Sequence, residues 1–258
     1  MGLQLNKSAL EHLSELVSAQ AAGEAAVQSV IATAMVDMGC EVDFFDYFPS
    51  QVPVKGEFSL DDDEDRPQRR ALVATAKGDP NLPSLLIFAH PDCEPFSDIE
   101  KWASDPFSAT IKKEKIFGWG VADDLAGCAC AIAAIKNILK SKTGTFGDII
   151  FASTPSKRYA RGVASLLHRG LYADASLYLH PAESGKGMGE IKAVASGQLE
   201  FSISVQGLAP DTTEPGQTAF SHLGINPIDK AIKIISALYI LNEERNSRIK
   251  HDKIHQVV

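Results

Sequence analysis

An α/β fold with a mostly parallel central sheet flanked by helices is what the sequence predicts, and three observations carry it. Apolar runs of strand length alternate with helical stretches, the pattern left by strands joined through crossover helices. The run Ser84-Leu85-Leu86-Ile87-Phe88-Ala89 is short, continuous and apolar, as a strand covered on both faces requires. A glycine-rich turn, Gly118-Trp119-Gly120, leads through Asp123 into the alanine-rich stretch Leu125–Leu139, which reads as a buried helix.

Taken in order, residues 6–20 and 24–38 are predicted helices, and Gly39 suits the position just past the second. Cys40–Phe48 sets Val42 and Phe44 against Asp43 and Asp46, a strand alternation. Pro49 to Arg70 reads as a loop. Its acidic run Asp61-Asp62-Asp63-Glu64-Asp65 lacks the glycine and the ligand spacing of a calcium loop and reads as solvated surface. Ala71–Ala76 and Ser84–Ala89 are strands, 92–107 is a loop containing Pro95 and Pro106, and Ala109–Phe117 is a hairpin. After the helix Leu125–Leu139 come a strand at Asp148–Ser153, a helix at Tyr159–Arg169 and a strand at Ala175–Leu179. Gly189–Ala195 and the alternating Leu199–Val205 are two further expected strands, and Ala209–Gly216 is turn-rich. Asn226 to Arg245 places Ile228, Ala231, Ile232, Ile235, Leu238 and Tyr239 at helical spacing. Ser196-Gly197 interrupts the pattern, so two domains are expected, 1–196 and 197–258.

The length, 258 residues, allows a sizeable core, and 45% hydrophobic with 22% charged residues is ordinary for a soluble protein. A net charge of −8 with no basic stripe argues against nucleic acid as a partner. No apolar run reaches the roughly 18 residues of a membrane span, and the first residues lack the basic and apolar regions of a secretory signal. The four cysteines, Cys40, Cys93, Cys128 and Cys130, read as reduced thiols of a cytoplasmic protein.

His90 follows the strand Ser84–Ala89, and strand ends are where open α/β sheets place their sites. Asp92 is placed to accept a hydrogen bond from the second ring nitrogen of His90, fixing its tautomer. Asp123 precedes a helix, whose free N–H groups and dipole favour an ionised carboxylate able to bind metal.

These landmarks resemble the M20 metallopeptidases, a family that includes acetylornithine deacetylase and succinyl-diaminopimelate desuccinylase. The matching stretches are His90-Pro91-Asp92, Asp105-Pro106-Phe107-Ser108, Gly118-Trp119-Gly120, Asp123, Phe151-Ala152-Ser153-Thr154-Pro155 and Gly224-Ile225-Asn226-Pro227-Ile228. The resemblance implies a zinc-peptidase-like catalytic domain followed by the start of a small α/β lid that often dimerises. In the family the chain then returns to the catalytic domain with one more metal-binding histidine, which this sequence does not contain, so a fragment or a partner-covered surface is expected. Two metals are implied, bridged by the aspartate matching Asp123. The first metal also takes the histidine matching His90 and an acidic residue whose position here falls at His180.

The family's Glu-Glu pair, which supplies the general base and a ligand for the second metal, falls at Lys157-Arg158. The losses gather on the second metal, while His90, Asp123 and His180 remain for the first. Two histidines and a carboxylate suit one zinc, manganese or iron ion. A cation beside it repels a second one, by roughly 4 kcal/mol between unit charges at about 4 Å and an effective dielectric of 20. One divalent ion per chain is therefore expected, with Lys157 or Arg158 orienting a substrate carboxylate. Asp92, Asp124 and Glu183 are the candidate bases. A family histidine that reaches the partner subunit's site matches Gln217, with His222 a nearby substitute.

The expected function is hydrolysis of a C–N bond in a small carboxylate-bearing substrate, an N-acyl amino acid, dipeptide or aryl amine, by metal-activated water. One alternative is a catalytically impaired protein of this fold serving as a binding or oligomerisation module. Another is an aminohydrolase resembling 5-nitroanthranilate aminohydrolase. A small-molecule substrate and a homo-oligomer formed through the lid are the expected partners, with no membrane.

Overall fold

Among the described residues, seven strands form where hydrophobic runs meet a hydrogen-bonding neighbour. In chain order they are β1 (Glu41–Tyr47), β2 (Arg69–Ala76), β3 (Leu85–Ala89), β4 (Thr110–Lys112), β5 (Lys115–Phe117), β6 (Ile149–Ser153) and β7 (Ala175–Tyr178). The computed structural model describes residues 7–53, 68–141, 145–155, 160–180, 190–193, 201–214 and 222–248. β4 and β5 make the expected hairpin; the other five form one sheet in the order β1-β2-β6-β3-β7. β1–β2 and β2–β6 are antiparallel, whereas β6–β3 and β3–β7 are parallel. Four strands therefore point one way and β2 alone runs against them. The mixed α/β, mostly parallel sheet is as the sequence predicts.

Side-chain alternation divides β2 and β6 between two cores. Leu72, Ala74, Ile149 and Phe151 face one side, with Ile87 of β3. There they meet α1 (Lys7–Ala19), α2 (Glu24–Asp37) and α3 (Ala126–Lys140), which contribute Leu16, Val17, Val27, Ile31, Met35, Ile132 and Ile135. Ala71, Val73, Ile150 and Ala152 face the other side, with Tyr47, and are met by Leu166 of α4 (Arg161–His168). Apolar residues that alternate along a strand while both faces are covered give continuous hydrophobic runs, which is why these strands were readable.

The chain groups into two compact units, residues 1–192 and 193–258. All of the above lies in the first; the boundary expected at 196/197 falls outside the described residues. In the second unit Leu208 and Ile225 exchange main-chain hydrogen bonds of 3.0 and 2.8 Å. Asn226 then caps α5 (Pro227–Arg248), its Oδ1 accepting the Ile228 N–H at 2.9 Å. The stripe of α5 is exposed, with Ile228 at 65% and Tyr239 at 71%. No described helix is long and apolar enough to cross a membrane.

Two expected strands are not seen among the described residues. Residues 190–193 of the expected strand Gly189–Ala195 are irregular, as are residues 201–205 of Leu199–Val205. Alternation supplies a face but no partner, and without a ladder the backbone groups have nothing to pair with. β2 begins at Arg69, two residues earlier than the apolar pattern suggests, because both arginines pair with β1.

Candidate metal centre

β3 delivers His90 to the carboxyl edge of the sheet, and its side chain is 3% exposed. Nδ1 of His90 lies 3.0 Å from the main-chain oxygen of Asp92 and 3.5 Å from its Oδ1. Both neighbours are acceptors, so Nδ1 carries the hydrogen and Nε2 is left with a lone pair. The carbonyl makes the shorter contact, so the main chain shares the orienting role that the sequence assigns to the Asp92 carboxylate.

Nε2 of His90 faces Oδ1 of Asp123 at 2.9 Å, and Nε2 of His180 reaches the same oxygen at 3.0 Å. An imidazole lone pair against a carboxylate is repulsive unless a cation lies between them, either a proton or a metal ion. The donor atoms of His90, Asp123 and His180 all lie within 4.8 Å of one another. Two imidazoles and one carboxylate at this spacing fit a divalent ion of the zinc, manganese or iron type. The surrounding field has the matching sign. Burial disfavours charge on His90, but Asp92 and Asp124 outweigh it and raise the imidazole pKa above its ordinary value. His180 and Asp123 are 25% and 45% exposed, so the site is closed behind His90 and open in front.

Asp123 and Asp124 sit in a single wide turn, Val121–Leu125, that precedes α3. Gly120 enters it at φ +70, and a Cβ there would fall 2.0 Å from the Cys93 Sγ. The two carboxylates part company. Asp123 turns outward to the histidines. Asp124 is fully buried, and its Oδ2 accepts the His90 main-chain N–H at 3.3 Å. Burial pushes the Asp124 carboxyl up to about 7. Asp123 and Asp124 both have non-helical φ and ψ, and Asp124 is the one that lies against the first turn of α3.

Gly127 makes that packing possible. A Cβ would come within 2.2 Å of the Leu179 carbonyl oxygen and 2.4 Å of Asp124 Oδ1. Leu179 immediately precedes His180, so one helix turn supports the brace and one histidine together. Gly127→Ala should cost about 1–3 kcal/mol of stability, read as a lowered urea midpoint at unchanged slope.

Asp92 is held from its far side by Arg69, whose Nη2 lies 3.5 Å from Oδ2. Burial raises its carboxyl pKa, but the His90 hydrogen bond and the Arg69 charge more than offset this and hold it below the usual range. Cys93 is packed against Gly120, and burial pushes its thiol up to about 12, the mark of a packing residue. Cys128 is buried and Cys130 exposed, on different sides of α3 as their spacing predicts. Glu183, Lys157, Arg158 and Gln217 lie outside the described residues. His222 belongs to the second unit.

Sequence reasoning missed a pocket of about 130 Å³ beside His90, lined among others by Phe88, Thr154, Pro155, Ala160 and Tyr178. Tyr178 stacks on Phe88 at 4.8 Å and tilts against the His180 ring at 5.3 Å. Strand alternation of Phe88 and Tyr178, at strand ends that both precede site histidines, was the available signal. Arg69 and Glu24 were missed as well, because nothing local links them to Asp92.

The sequence profile of the peptidase family M20/M25/M40 matches residues 86–242, well over half of the chain and inclusive of all three donors. The chain belongs to the M20/M25/M40 peptidase family. An M20 family metallo-carboxypeptidase from Sulfolobus solfataricus superposes with a TM-score of 0.50 at 20% identity, over 67% of this M20 chain and 37% of that one. Human carnosine dipeptidase 1 matches at 0.48 and 15% over 67% and 38%. A Staphylococcus aureus tripeptidase matches at 0.46 and 20% over 68% and 43%. The M20 chain thus spans about two fifths of the length of these structures, and the likeness to the carboxypeptidase is one of fold.

Proposed function

We propose that this M20 chain carries the metal-binding part of a hydrolase that cleaves a C–N bond in a small carboxylate-bearing peptide or N-acyl amino acid. The observation supporting this most directly is the convergence of two imidazole Nε2 atoms on one carboxylate oxygen at 2.9 and 3.0 Å. A divalent ion held there supplies Lewis-acid polarisation and lowers the pKa of water. The chain's own residues do the rest. Asp92 and its carbonyl hold the His90 tautomer, and Asp124 fixes the His90 main chain. Asp92 and Asp124 are both committed to protein partners, and the third candidate base, Glu183, lies outside the described residues.

Pro155 and Ala160, which flank Lys157 and Arg158 in sequence, line the pocket beside His90. A cation in the sequence between them would suit a substrate carboxylate and disfavour a second ion. We accordingly read the centre as mononuclear. Elemental analysis of the zinc- or manganese-saturated chain should give one ion per chain; two ions, or none, overturn the reading. The Glu-Glu replacement at Lys157 and Arg158 also favours a second reading, a binding or oligomerisation module. The exposed stripe of α5 supports self-association through residues 197–258. If the native chain hydrolyses dipeptides and K157E/R158E does not improve it, the hydrolase reading stands; an inactive native chain rescued by that change supports the module.

A further inference from the structure

β2 is the strand that runs against the other four, so its first residue, Arg69, arrives at the edge where β3 releases His90. Arg69 is 16% exposed and stands between two carboxylates. On one side it pairs with Glu24 at the start of α2, through Nε to Oε1 at 3.3 Å and through Nη2 to Oε2. On the other, Nη2 lies 3.5 Å from Asp92 Oδ2, whose second oxygen is 3.5 Å from His90 Nδ1. One turn further along α2, the fully buried Gln28 donates to the main-chain oxygens of Arg70 and Ser153 at 3.0 and 3.3 Å. Arg70 follows Arg69, and Ser153 ends the strand paired with β3. α2 is thus pinned by side chains to the same edge at two successive turns.

We propose that Glu24 and Arg69 are positioning residues for the metal centre, forming with Asp92 a charged relay that fixes the orientation of His90. This rests on the metal reading above. A guanidinium is suited to the role, because its planar fork holds Glu24 on two bonds and still presents an N–H to Asp92. Arg69, gripped by Glu24 on one side, meets Asp92 on the other and so fixes where the Asp92 side chain stands beside the ring. An ionised partner raises the basicity of the ligating nitrogen and limits ring rotation. Neither effect requires Glu24 or Arg69 to touch substrate.

The test uses the full 258-residue chain. Zinc affinity is measured by chelator competition, and the cobalt-loaded form is followed by its visible absorption. The wild type is expected to bind one zinc, lost in His90→Ala. Arg69→Met should weaken zinc about 10–100-fold, with a shifted cobalt spectrum, and Arg69→Lys should recover only part of the loss. The relay acts through Asp92, so R69M in a D92N background should add little further loss. Should R69M fail to fold, Glu24→Gln and the pair E24Q/D92N serve the same cycle. Independent, additive losses overturn the relay, as does an unchanged affinity and spectrum in both R69M and E24Q. If the wild type binds no zinc, or His90→Ala binds as tightly, the metal reading itself fails, which is a separate result.

Discussion

His180→Ala is expected to weaken zinc binding by about 100-fold or more while leaving the fold intact. Outer partners of a ligating histidine are worth about 10–100-fold, so a direct donor should cost at least the upper end. His180 follows the last strand of the sheet, and its ring is 25% exposed, so truncation removes little core packing. Its loss leaves His90 and Asp123, too few protein donors for a tight site. Calorimetric titration with zinc measures the drop, and an unmoved unfolding midpoint of the metal-free variant separates it from misfolding. An imidazole must be free of its proton to ligate, so the wild-type affinity should fall as pH is lowered through the histidine range and flatten above it. A His180→Ala chain that binds zinc like the wild type removes His180 from the centre.

The second large effect is on stability. Phe151 lies in the middle of β6, between β2 and β3, and is fully buried against the α1–α3 side. Phe151→Ala should cost about 3–5 kcal/mol, the lost transfer energy plus a cavity that a five-stranded sheet cannot close. Set against a total of roughly 5–15 kcal/mol, that is a large share. Phe44, on edge strand β1 and 44% exposed, is the control, and Phe44→Ala should stay within about 1 kcal/mol. Urea unfolding followed by circular dichroism decides it. Equal midpoints for the two variants would mean that β6 is not the centre of the core.

The metal centre and the relay differ in how far they could be seen in advance. His90 and Asp123 announce themselves locally, one after an apolar run and the other before an alanine-rich helix. His180 was reachable only through the resemblance, since Leu179-His180-Pro181 carries no chemistry by itself. Arg69 was invisible, because a basic residue at the start of a strand has many uses and its partners lie 45 residues before it and 23 after. The outward Asp123 and inward Asp124 look alike in sequence; the turn before α3 tells them apart by presenting one to the edge and the other to the core.

Periodicity was enough to determine the alternation of strands and helices and the residues at the sheet edge, because burial imposes those patterns on each segment separately. Pairing was not determined. The reversal of β2, the absent strands at 190–193 and 201–205, and the meeting of residues 24, 69, 92 and 90 depend on which neighbour each segment finds. That is decided only when the whole chain closes its hydrogen bonds and excludes water, a condition no single stretch can express.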